Sequence, residues 1–60
     1  MKINDEVIVN KQHAVVVGLP GDLYFNDKIN KDMKVPLNMV CVDTKHAVLV
    51  FPQSQVKLAA

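Results

Sequence analysis

The chain contains no arginine and no tryptophan, a single cysteine, two glycines, one tyrosine and two phenylalanines among 60 residues. One thiol cannot form a bridge within the chain, so the disulfide framework that staples many small domains is excluded. Without arginine or tryptophan the chain lacks the strongest bidentate and stacking groups of nucleic-acid readers, and seven lysines against six acidic residues leave a net charge of only +1. A structural metal has little support, because His13, His46 and Cys41 show none of the paired close spacings of zinc sites. The opening MKINDEVIV has neither the basic head nor the long apolar stretch of a secretory signal. No apolar run nears the ~20 residues that cross a bilayer. The expectation is a cytoplasmic protein with no metal, no cofactor and no membrane contact.

What the chain does have is apolar surface: half of its residues are hydrophobic. A domain of this length buries only about 60% of the surface its unfolded form exposes, which leaves stability marginal. Association between chains is therefore the expected extra source of stability, in the form of a homo-oligomer, dimer or tetramer.

Periodicity reads as one all-β domain over residues 1–60. DEVIV at residues 5–9 is rich in β-branched side chains and predicts a first strand, followed by a polar turn at Asn10-Lys11-Gln12. The second strand, His13 to Leu19, stops at Gly18-Leu19-Pro20-Gly21, where proline removes an amide donor. Residues 20–36 lose this patterning and are expected to form a long, variable loop insert, with one short strand at Leu23-Tyr24-Phe25. Leu37 to Asp43 and His46 to Phe51 predict two further strands; Thr44-Lys45 is a poor primed-turn pair, so a loop longer than two residues is expected there. Val56-Lys57-Leu58 supplies the last strand. HAVVV at His13–Val17 and HAVLV at His46–Val50 echo each other, but their flanks differ, so two strands meeting one burial demand is the simpler reading than duplication.

AVLVFPQSQVKL, residues 47–58, resembles the end of a Src-homology-3-like barrel, in which a strand runs into Phe-Pro, makes one 3₁₀ turn and re-enters the sheet at a valine. KINDEVIV is similar to the first strand of the same superfamily, with Asn4-Asp5 in place of Gly-Asp. The resemblance implies a small five- to six-stranded barrel with a 3₁₀ turn before its last strand, the turn being shaped by Pro52 and by a Ser54 hydroxyl bonded to a nearby amide. The peptide-binding branch of that superfamily is excluded by the absence of its groove tryptophan. A KOW-type barrel, which contacts nucleic acid or polymerase, is an alternative that rests on Lys28, Lys31 and Lys34. The chain is also similar to the plasmid-borne dihydrofolate reductase barrel over VLVFP, residues 48–52. There Leu49 and Phe51 stand at the glutamine and tyrosine positions and delete the polar handles for folate and nicotinamide.

No catalytic residue is expected. Ser54 is assigned to the turn, Cys41 to an apolar run where a thiol is unreactive, and the aspartates are scattered. Gly18-Leu19-Pro20-Gly21 lacks the Gly-Lys-Ser/Thr ending of a phosphate loop. His13 and His46 open the two echoed strands and read as half-exposed strand ends. The strands carry apolar residues on both faces, whereas a small barrel has one interior. The expected function is thus a non-catalytic binding module that self-associates through a second apolar sheet face built from Ile8, Val16, Met39, Leu49 and Phe51. Tyr24, Phe25, Lys28, Lys31 and Lys34 in the insert are the expected partner-recognition loop.

Overall fold

The computed structural model describes residues 1–59. Seven strands form two antiparallel sheets: β1 (Glu6–Val9), β2 (Gln12–Gly18), β3 (Leu23–Asn26), β4 (Lys31–Lys34), β5 (Met39–Asp43), β6 (Val48–Pro52) and β7 (Lys57–Leu58). The larger sheet runs in the order β6-β5-β2-β1-β7, and β3 and β4 form a separate hairpin. A 3₁₀ turn at Gln53–Gln55 joins β6 to β7. No helix among the described residues is long and apolar enough to cross a membrane.

Turn chemistry explains where the chain reverses. Asn10 and Lys11 both take positive φ, 50° and 66°, and Val9 pairs with Gln12, which makes β1–β2 a two-residue hairpin of the primed type that matches strand twist. Leu19-Pro20-Gly21-Asp22 is a turn closed by the Asp22 N–H donating to the Leu19 carbonyl at 2.9 Å, with Gly21 at φ 86°; proline second and glycine third is the type II signature. The β5–β6 connection is a four-residue loop, as the poor Thr44-Lys45 pair implies. The Thr44 hydroxyl organises it by donating to the Ala47 carbonyl at 2.9 Å and accepting the His46 and Ala47 amides at 3.2 and 3.1 Å.

The core is almost entirely valine. Val7, Val9, Ala14, Val16, Val40, Val42 and Val56 form one buried cluster, with Leu19 and Phe51 packed against it. Stiff β-branched side chains suit the pleated, closely spaced interior of a small sheet, and each buried valine contributes roughly 1.5–3 kcal/mol. On the other face of the larger sheet a second, smaller point of burial unites Gly18, Cys41 and Val35, all under 9% exposed.

Several expectations are corrected here. The 20–36 insert is not a loop but a regular hairpin, so the described residues form seven strands rather than five or six. His46 and Ala47 belong to the β5–β6 loop and β6 starts at Val48, because Thr44 holds both residues back from the ladder. The HAV echo is therefore not structural: His13 lies within β2 and His46 does not. The 3₁₀ turn is present, but no side chain caps it; the Val56 N–H closes it on the Gln53 carbonyl at 3.1 Å, and Ser54 is exposed.

Candidate binding cleft

The five residues expected to share a second apolar face lie on two opposite faces. Val16 is wholly buried in the core and cannot present a surface. Leu49 and Phe51 pair directly with Val42 and Val40, so they stand on the core side of the sheet, Leu49 at its rim and Phe51 against the core. Ile8 and Met39 alternate with buried Val7, Val9 and Val40 and so lie on the outer side, each half-buried. The physical reason is register: Val16 and Leu49 both pair with buried Val42 and Phe51 pairs with buried Val40, which carries these three inward, while Met39 and Ile8 take the alternate positions.

The outer face is partly roofed by the insert. Val35, at the end of the β3–β4 hairpin, is 1% exposed and sits over Gly18 and Cys41. The Gly21 N–H to Val35 carbonyl bond (2.8 Å) and the Val35 N–H to Asp22 carbonyl bond (2.7 Å) extend the hairpin ladder to its base and fix Val35 there. Within the hairpin, Tyr24 pairs with Met33 and Phe25 with Asp32. Tyr24 and Asn26 are half-buried, while Leu23 and Phe25 on the other face are exposed.

Between the hairpin and β6 lies an open cleft of about 360 Å³. It is lined by Tyr24 to Lys28 on one side and His46 to Val50 on the other. Its β6 wall is apolar, with Val48 41% and Leu49 36% exposed. β6 is also the longer edge strand of the larger sheet, β7 having only two residues.

The hydrogen-bond pattern shows which β6 peptide groups are free. Thr44 N–H donates to the Ala47 carbonyl, and Gln53 N–H donates to the Asn38 carbonyl. Because an antiparallel ladder bonds alternate residues, Ala47, Leu49, Phe51 and Gln53 face β5. The N–H and C=O groups of Val48 and Val50 therefore point to the open edge, where Pro52 adds a carbonyl but no donor. Val48 and Val50 were not among the expected site residues. The uncharged stretch from Ala47 to Val56 is the signal for them in the sequence, but local pattern cannot say that β6 is an edge.

The other candidates are less organised. Lys28, Lys31 and Lys34 are all exposed but do not share a face: Lys28 is in the turn, Lys31 pairs with Asn26, and Lys34 pairs with Leu23 on the opposite side. A spacing of three splits residues across a strand whose period is two. His13 and His46 come together with Gln12 and Lys45 around a groove of about 430 Å³, and both are exposed. Among the described residues no three potential metal ligands cluster. Cys41 is buried, and burial, reinforced by the negative charge of Asp43, pushes its thiol pKa up. No family model, curated protein or solved structure matches the chain.

Proposed function

We propose that this chain is a non-catalytic interaction module that takes up an extended segment of polypeptide along the free edge of β6, in the cleft beneath the β3–β4 hairpin. The observation that carries the reading is the pair of outward-facing peptide units at Val48 and Val50, set beside exposed apolar side chains in an open cleft. Strand addition of this kind draws affinity from main-chain hydrogen bonds and specificity from pockets for alternate side chains. Tyr24 and Phe25 of the expected recognition loop line the cleft and belong to this site, whereas Lys31 and Lys34 do not line it.

In this reading the fold is a Src-homology-3-like barrel working as a soluble cytoplasmic domain. The strand order β7-β1-β2-β5-β6 supports the barrel, as does a 3₁₀ turn after Phe51-Pro52. The test is a titration of dilute protein with a blocked, uncharged pentapeptide of alternating threonine and valine, followed by amide chemical shifts. Movement centred on the Val48 and Val50 amides, with Tyr24 and Phe25, is the expected result. Shifts confined to the His13–His46 groove, or no shifts at millimolar peptide, would overturn it.

A further inference from the structure

We infer that the segment taken up by β6 is β6 of a second copy, paired antiparallel about a twofold axis through Leu49. This rests on the reading of β6 as a strand-accepting edge and names its partner. The register follows from which peptide groups are free. With Leu49 opposite Leu49, Val48 of one copy faces Val50 of the other, and both residues have outward N–H and C=O groups. Val48 N–H donates to the opposite Val50 carbonyl, and Val50 N–H to the opposite Val48 carbonyl. The axis repeats both bonds, giving four between the chains.

Neighbouring registers fit less well. Moving the axis to Val50 sets Val48 against Pro52, which has no N–H to give. Moving it to Val48 sets Val50 against His46, whose N–H is already held by the Thr44 hydroxyl at 3.2 Å. The free edge is thus bounded at both ends, and its two central donors and acceptors are complementary to themselves.

Charge favours a second copy over an arbitrary partner. Ala47 to Val56 contains no charged residue, so antiparallel self-pairing brings no like charges together and leaves none to desolvate. Of the other edge strands, β7 is two residues long and carries Lys57, and β4 reads Lys-Asp-Met-Lys; β3 is uncharged like β6 but is only four residues long and is flanked by Asp22 and Asp27. β6 has neither charge nor bulge, the condition in which an edge pairs with another chain. Across the axis the two Leu49 side chains meet at a narrow, non-hydrogen-bonded pair, where cross-strand contact is closest.

The experiment is the mass in solution over a hundredfold dilution for wild type, Leu49→Lys, Leu49→Glu, their equimolar mixture, and Val50→Pro. Wild type is expected to reach twice the chain mass, each Leu49 variant alone to dimerise at least about tenfold more weakly, and the mixture to recover a heterodimer. Val50→Pro removes an N–H that only the second copy uses, so it is expected to be monomeric with an unchanged circular dichroism spectrum. Should the Leu49 variants fail to fold, Val50→Pro decides alone. A wild type monomeric throughout, or a Val50→Pro dimer as stable as wild type, would overturn the inference. If wild type is monomeric, peptide-induced shifts at Val48 and Val50 still decide the broader reading independently.

Discussion

Gly18 and Cys41 face each other across the β2–β5 ladder so closely that a Cβ added at Gly18 would lie 3.0 Å from the Cys41 Cβ and 3.2 Å from a Val35 methyl. A methyl at Gly18 would have to push Cys41 or Val35 back by a few tenths of an ångström. Gly18→Ala is expected to destabilise the fold by about 1–3 kcal/mol, as overpacking does, read from the urea midpoint. Because the near atom on Cys41 is its Cβ and not its sulfur, Cys41→Ala is expected to give no rescue.

Lys11 occupies the second position of the primed turn with φ 66°, a conformation that costs a non-glycine residue roughly 1–2 kcal/mol. Lys11→Gly creates the favoured Asn-Gly pair and is expected to stabilise the domain by about 0.5–1 kcal/mol. Thermal unfolding checks it; a lower midpoint would contradict the turn assignment.

Thr44 makes three side-chain hydrogen bonds within one loop. Thr44→Val keeps the shape and removes all three, so a loss of about 1–2 kcal/mol is expected, with faster amide exchange at His46 and Ala47. Unchanged exchange at both amides would show that the backbone bond from Thr44 N–H to the Ala47 carbonyl holds the loop unaided.

Cys41 has its pKa raised in the folded chain, so its thiol stays protonated in the fold at pH values where the unfolded thiol has begun to ionise. Above the ordinary thiol value of about 8.5 the unfolded state holds fewer protons, and stability is expected to fall as pH rises. Cys41→Ala should flatten that alkaline slope. Thiol-reagent labelling of wild type should be slow in buffer and accelerate with urea, whereas fast labelling in buffer would mean an open path to the sulfur.

Local chemistry made the turns legible in the sequence: Asn10-Lys11 and Leu19-Pro20-Gly21-Asp22 each mark a turn that the structure contains, and Phe51-Pro52 marks the entry to the 3₁₀ turn. The β3–β4 hairpin was less legible because Lys31-Asp32-Met33-Lys34 is exposed at every position and shows no apolar alternation. The facing of Val16, Leu49 and Phe51 was hidden for a different reason. With apolar residues on both sides of β2, β5 and β6, the inward face depends on pairing register, which sets Val16 and Leu49 against Val42 and Phe51 against Val40. The cleft was half legible, through Tyr24 and Phe25. Its other wall depends on β6 being an edge, which is a property of the whole sheet.

The valine core has a consequence for how the chain orders itself. Valine has a single side-chain torsion, already restricted by branching, so assembling Val7, Val9, Val16, Val40, Val42 and Val56 immobilises little rotamer freedom compared with a core of leucine or methionine. Fewer torsions also mean fewer alternative ways to fill the same interior. A chain too short for a large core thus gains uniqueness from the stiffness of its parts, and the strands that present the cleft inherit that stiffness.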